Sequence, residues 1–478
     1  MNRHVRIRPR SFASLSHVAM QKLARAGVLC GLSLAPAIAF LAQPSRVLAQ
    51  SPAASPPSEP VPAPASSAAE PPEPPPDPAS DGFMLKIDPA KFEFSPGETV
   101  EYPPSMEKEI ETVRRGMFEL DFIESPIRSY TEWSDKFELE TGLRFHLAYT
   151  ALFQQASGGP GDRTRFAGDL DLMGFWTLIG RGTKDRGLLV ASGEYRHQIG
   201  WENPNSLRDD VGTLQRTTGG FDDRGIVLRD LFYIQHLFDE RLRLLAGRAD
   251  VSDLVGGHRL QSINLFFLNR AFSADSTTAY PGGHVTAASA SIRPVDWFYV
   301  TGGAANGYGR STINDMPYLD EEKFFYFGEI GFTPTIEGLG SGRYAVLFWH
   351  MDERELINSP SDSGFTIILE QDLNDSLHVF ARYGNADDGL ITSIKSSTQA
   401  GMGFRGMLGS PDNLTGAAFA YTEPAVATRD EKVVEVFHRF QVSPHIQFTV
   451  DVQGIFDPTN APDDDAIAVL SLRLRIAF

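Results

Sequence analysis

From position 137 to its last residue the chain alternates apolar and polar side chains with a period of two. In 137–147, Leu139, Leu143, Phe145 and Leu147 share one face while Glu138, Glu140, Arg144 and His146 share the other. Such alternation is the signature of a strand with two unlike faces. It recurs near 166–179, 187–200, 224–238, 241–250, 284–292, 295–305, 322–333, 341–352, 364–371, 376–385, 396–408, 414–422, 431–442, 445–456 and 464–478. Together these segments predict about sixteen strands. In the last one, Ala468, Leu470, Leu472, Leu474, Ile476 and Phe478 alternate with Val469, Ser471, Arg473, Arg475 and Ala477. Charge on a lipid-facing midplane position costs about 2–4 kcal/mol, so Arg473 and Arg475 are expected to face inward.

The connections decide between a soluble β protein and a membrane barrel. Short turns are expected around 180–186, 239–240, 293–294, 334–340, 372–375, 409–413 and 443–444. Longer loops intervene at 201–223, 251–283, 306–321, 353–363, 386–395, 423–430 and 457–463. A sandwich has no reason to sort its loops by length, whereas an outer-membrane barrel has short periplasmic turns and long external loops. The expected fold is therefore all-β: a transmembrane antiparallel β-barrel of about sixteen strands over residues 137–478.

Upstream the pattern is different. Residues 1–49 read as a signal peptide: Arg3, Arg6, Arg8, Arg10, Lys22 and Arg25 precede the apolar run 27–42, and Val47-Leu48-Ala49 suits a signal peptidase. Residues 50–81, dense in Pro, Ala and Ser, form a tether that cannot bury a core. Residues 82–136 are a pre-barrel segment with one short helix expected from Ser105. No later apolar run approaches the roughly twenty residues of a membrane helix.

Composition narrows the function. The one cysteine of the 478 residues, Cys30, lies in the signal segment, leaving no disulfide framework and no cysteine metal site. Without the segment's seven basic residues the balance is 36 basic against 61 acidic, a net charge of −25. Such a chain is a poor partner for nucleic acid. The eleven histidines show no metal-ligand spacing, no Gly-rich phosphate loop is present, and no G-x-S-x-G occurs. Neither metal nor cofactor is expected, and no enzymatic role.

Several segments resemble one family. The run 431–441 (EKVVEVFHRFQ), then 443–458 (SPHIQFTVDVQGIFDP) and 463–478 (DDDAIAVLSLRLRIAF), is similar to the closing strands of the carbohydrate-selective porins of the OprB type. LRLLAGRAD (242–250), FFLNRAFSADSTTAYPG (266–282) and HVFARYGNADDG (378–389) resemble further segments of that family. Three features depart from its pattern: no G-D-W-G-G-R opening, His438 where tyrosine is usual, and Ala304 where an aspartate often stands. The resemblance implies an outer-membrane porin with a long third loop folded into the lumen.

A diffusion pore acts through its diameter, its hydrogen-bonding groups and its field. The inward register and strand ends nominate Glu194, Arg196, Arg248, Asp250, Asn306, Glu370, Arg382, Glu435, Arg439, Asp451, Gln453 and Arg473 as pore-lining. On the 251–283 loop, Asp253, His258, Arg259, Asn264, Asn269 and Arg270 are candidates for an eyelet, with the 265–268 run LFFL as its anchor. The expected solutes are mono- and disaccharides. The dense inward arginine keeps organic acids or other anions as an alternative, and a barrel enzyme as a remoter one. Expected partners are outer-membrane lipid, lipopolysaccharide, and the barrel-assembly machinery through the strand ending in Phe478. Monomer and homo-oligomer both stay open.

Overall fold

The computed structural model describes residues 115–427 and 429–478. The signal peptide, the tether and the helix expected from Ser105 up to residue 114 lie outside the described residues. A helix, α1 (Asp121–Thr141), leads into sixteen barrel strands: β1 (Leu143–Ala156), β2 (Thr164–Ile179), β3 (Gly187–Gln198), β4 (Gly225–Leu237), β5 (Leu242–Asp250), β6 (His284–Val295), β7 (Phe298–Asn306), β8 (Phe324–Phe332), β9 (Gly340–Met351), β10 (Asp362–Asn374), β11 (Leu377–Ala386), β12 (Ile394–Arg405), β13 (Leu414–Pro424), β14 (Glu431–Ser443), β15 (Ile446–Phe456) and β16 (Ala466–Ala477). A two-residue ladder, Thr335–Ile336, tightens the turn into β9. Each strand pairs antiparallel with the next, and β1 pairs with β16, so no edge remains. Closure matters because an open edge in lipid would leave backbone groups unpaired.

Period two decides which side chain goes where. On β16, Ile467, Val469, Ser471, Arg473 and Arg475 are buried inside, while Leu470 and Leu474 are exposed outside. The outer surface carries Leu172, Tyr195, Leu244, Ile330, Phe348, Leu369, Phe419, Val436 and Val452. Aromatic clusters flank this apolar face. Trp297 stacks on Phe332 at the short-turn end, and Phe153 meets Phe166 and Trp201 at the long-loop end. Paired aromatic girdles of this kind mark the two interfaces of a lipid-facing barrel.

Two sequence expectations shift. Residues 137–141 are the last turn of α1, and the first strand starts at Leu143. Trp133 and Phe137 stack at i and i+4 (5.2 Å), a helical contact that the short alternating run concealed. Gly142, at φ 75°, ends the helix by donating its N–H to the Glu138 carbonyl at 2.7 Å. The turn expected at 293–294 falls instead after Val295, because the pairing of β6 with β7 slips between Ile292 and Val295. An irregularity is where a proline without an N–H can sit in a strand.

The hydrophobic core lies inside the barrel, beneath the 251–283 loop. Leu260, Phe267, Ala271 and Phe272 pack against the inward residues Phe380, Leu414, Val433, Phe437 and Ile455 of β11 to β15. A second cluster joins Val251 and Val255 to Phe325, Phe327, Leu347 and Trp349. Each large side chain so covered contributes about 1.5–3 kcal/mol, which water-filled lumen would forfeit. The third loop is folded inward, as the FFL run suggested.

Candidate functional site: the lumen and its constriction

The inward wall divides into two halves. Along β8 to β16 its charged residues hold the third loop. Glu435 accepts the backbone N–H groups of Leu268 (2.5 Å) and Asn269 (3.0 Å), and Gln453 accepts from the Asn269 amide at 2.9 Å. Arg439 donates to the Leu265 carbonyl at 3.3 Å and lies over the Phe266 ring. Arg473 donates to the carbonyls of Ile263 and Phe266. Arg382 donates to those of Gly256, Phe272 and Ala274. Glu370 accepts the Arg259 N–H at 2.8 Å and pairs with Arg343 at 3.1 Å. Arg343 also reaches the Gly257 carbonyl and, at 2.7 Å, Glu329. An arginine fork satisfies several carbonyls at once, which suits it to fixing irregular backbone in a buried place.

The other half, on β2 to β4 and the loop before β4, carries a ladder of alternating charge. Asp222 pairs with Arg224 (2.8 Å) and Arg196 (3.4 Å). Arg196 also pairs with Glu194 (2.5 Å) and Asp169 (3.1 Å). Glu194 lies 3.8 Å from Arg224 and 3.9 Å from Arg229, and Arg229 reaches Asp253 at 3.1 Å. Asp169, Asp171 and Glu194 lie wholly or almost wholly buried at its base, whereas Asp222, Arg224, Arg229 and Asp253 keep part of their surface open. Burial and the neighbouring Asp250 push the Asp253 carboxyl up to about 7. The third loop reaches this half through Asp253, which pairs with Arg229, and through Asn264, whose amide donates to Asp171 at 3.4 Å.

The 201–223 loop, read from the sequence as external, also folds inward. Glu431 accepts the N–H groups of Leu214 (2.6 Å) and Gln215 (2.8 Å). The Thr217 carbonyl accepts from Gln453 (2.8 Å) and Gln154 (3.2 Å). This brings Arg216 to the third loop, where its carbonyl accepts the Arg270 N–H at 2.9 Å. Among the described residues the guanidinium groups of Arg216 and Arg270 make no ion pair. Burial, then the surrounding arginines, holds both below the usual guanidinium range, Arg270 at about 10.

Of the residues nominated from the sequence, Glu194 and Arg196 are buried in this ladder, Asp253 stands partly open at its end, and Asn264 and Arg270 are on the third loop. Glu370, Arg382, Glu435, Arg439, Gln453 and Arg473 are inward but lie under the third loop. Asp451 is buried beside Gln453, which donates to it at 3.4 Å. Arg259 and Asn269 anchor the loop, as does His258, whose ring stacks on Phe380 at 3.9 Å and contacts the Phe272 carbonyl at 2.8 Å. Burial, reinforced by Arg382, lowers the His258 imidazole to about 3.

Three expectations need correcting. Arg248 is on the outward register, opposite exposed Leu231, and holds the 307–323 loop through Asp315 (3.2 Å) and the carbonyls of Arg310, Ser311 and Ile313. Asn306 donates to the Asp315 carbonyl at 2.7 Å and braces the same loop. Asp250 caps the short turn Val251–Asp253 through Ser252. All three stand at strand ends, where loop contacts override the inward-outward count. Conversely, Asp169 and Asp171 were missed although they alternate with Leu170 and Leu172. Asp222 and Arg216 lie in a loop, where no periodicity could reveal them, and Arg224 stands just before β4, at the very start of the 224–238 run.

Residues 358–478 match the family described as carbohydrate-selective porin, OprB family, bearing out the resemblance in the closing strands. Porin AaxA of Chlamydia trachomatis serovar D is 22% identical over 286 residues, covering 58% of this chain and 61% of that protein. Porin AaxA of Chlamydia muridarum matches to the same extent. The chain thus spans about three fifths of the length of the curated relatives it matches. Among solved structures, Pseudomonas putida OprB at high pH superposes with a TM-score of 0.60 at 16% identity, covering 72% of this chain and 96% of that one. That likeness carries the fold: a closed sixteen-stranded antiparallel barrel.

Proposed function

We propose that this chain is a carbohydrate-selective porin and passes small neutral sugars by diffusion across the outer membrane. The charge ladder from Asp222 through Arg224, Glu194 and Arg229 to Asp253 carries the reading. Sugars are uncharged and rich in hydroxyls, so they need donors and acceptors close together without a strong net field. Paired carboxylates and guanidiniums supply both while each cancels much of the other's potential. Two inward loops narrow the passage, which favours mono- and disaccharides over longer chains. The work is passage, with no bond made or broken. Export through residues 1–49 and assembly through the strand ending in Phe478 belong to the same reading.

Liposome swelling with neutral sugars of graded size tests it. Faster swelling with mono- and disaccharides than with size-matched organic acids is the expected result, and no swelling with any sugar would refute it.

Arg216 and Arg270 favour a second reading, a path for small organic anions. Unpaired guanidiniums beside a pore raise the local concentration of anions. A reversal potential showing cation preference in a salt gradient would exclude it.

A further inference from the structure

Helix α1 is 21 residues long and divides lengthwise into three faces. One face, carrying Ile127, Ser134, Glu138 and Thr141 at i, i+7, i+11 and i+14, turns to the barrel. A second is polar, with Arg128, Glu132, Asp135 and Lys136 exposed at i, i+4, i+7 and i+8. The third is apolar: Phe122, Pro126, Trp133 and Phe137 at i, i+4, i+11 and i+15. Phe122 is 78% exposed and Trp133 52%, although both are large and apolar. Leu139, also exposed, lies outside this stripe.

The helix is fixed to the short-turn end. Glu124 pairs with His445 at 2.7 Å, in the turn between β14 and β15. The Tyr130 hydroxyl donates to the Phe145 carbonyl at 3.2 Å, and its ring meets Phe478 edge-on at 5.6 Å. Trp176 donates its indole N–H to the Thr141 carbonyl at 3.2 Å. These partners lie around the closure of β1 with β16 and β2. The apolar stripe continues directly into the barrel's outer face: Trp133 stacks on Phe137 (5.2 Å), and Phe137 on Phe145 (6.3 Å). Phe145 lies on the outward register of β1, beside the exposed Trp176.

We infer that α1 is an interfacial lipid-binding helix, lying along the periplasmic leaflet with its Phe122–Trp133 face among the acyl chains. The occupant of that face is lipid because the face extends a surface that is already lipid-facing. An amphipathic helix in the plane of the interface buries its apolar side just below the headgroups and leaves its charged side in water. Here the charged side is Arg128, Glu132, Asp135 and Lys136. The helix thereby covers the seam where the barrel's first and last strands meet.

The test places single cysteines in a Cys30→Ser background: Phe122→Cys, Trp133→Cys, Glu132→Cys and, on the outer face of β2, Leu172→Cys. Each full-length variant is labelled with an environment-sensitive fluorophore and reconstituted into phosphatidylcholine vesicles, with or without spin-labelled acyl chains. Labels at 122 and 133 should be quenched by the acyl-chain spin label at least about twofold more than the label at 132, and the latter by aqueous iodide. Phe122→Cys keeps the test sound if Trp133→Cys disturbs folding, because Phe122 is the more exposed of the two. Labels at 122 and 133 that behave like 132, while 172 is lipid-quenched, overturn the inference and leave the barrel's membrane placement standing. If 172 is also open to iodide, both fall together.

Discussion

The Glu435 carboxylate on the wall accepts the backbone N–H of Leu268 at 2.5 Å across a sequence separation of 167 residues. One side chain thus ties the middle of the third loop to the far wall, and the width of the passage depends on that tie. Beneath it the rings of Phe267 and Phe437 meet at 5.0 Å, so polar and apolar contacts hold the loop at one place.

Glu435→Ala leaves the N–H groups of Leu268 and Asn269 without their acceptor, at about 1–3 kcal/mol for each buried donor. The barrel, held by its ladders, should persist while the loop loosens. Single-channel recordings should show a larger and noisier conductance than the parent. An unchanged conductance would mean that the apolar anchor alone sets the loop.

Arg216→Ser combined with Arg270→Ser removes two guanidiniums that have no carboxylate partner among the described residues. Anion preference, read from the reversal potential, should fall by about twofold or more, because focused charge at a narrow place governs ion entry. Swelling rates for neutral sugars should change far less. Sugar flux that drops in parallel would place these arginines in sugar contact.

His258 gives a pH dependence of definite sign. Its imidazole is held near 3 by burial, against an ordinary value near 6.5. A depressed histidine contributes stability above its unfolded value and loses it as pH falls from there toward the folded value. By pH 4.5 the loss is about 2–3 kcal/mol. Channel noise should therefore rise on acidification from pH 7 to 4.5. The difference between parent and His258→Gln isolates this term; the variant should lack that part of the pH response.

Arg248→Ala tests the outward assignment. It removes the donors that fasten the 307–323 loop from outside, while the lumen is untouched. Added protease should nick this loop several-fold faster than in the parent, an effect of lost ordering, and conductance should stay at the parental value. A changed conductance would return Arg248 to the pore.

Much of the fold is legible in the sequence because a strand's period is two and lipid penalises any slip. Leu470 and Leu474 outside, Arg473 and Arg475 inside, follow from that count alone. The sorting of turns and loops by length pointed to a membrane barrel rather than a sandwich. Where a second local pattern competes, the count fails. Residues 137–141 alternate, yet Trp133 and Phe137 stack at helical spacing, and Gly142 ends a helix there.

The site was legible only in part. The sequence could show that Glu194, Arg382 and Glu435 face inward, because facing is local. It could not show that Arg382 and Glu435 lie under a loop while Glu194 lies in an ion-pair ladder on β2 to β4. That division depends on where residues 251–283 lie, and the loop's position is fixed by contacts with strands more than a hundred residues away. The inward course of the 201–223 loop had no periodic signal either; Glu431 and Gln453 impose it from the far wall. Alternation therefore determined the barrel and the facing of its strands, whereas long-range hydrogen bonds and buried rings decided which inward residues the loops cover.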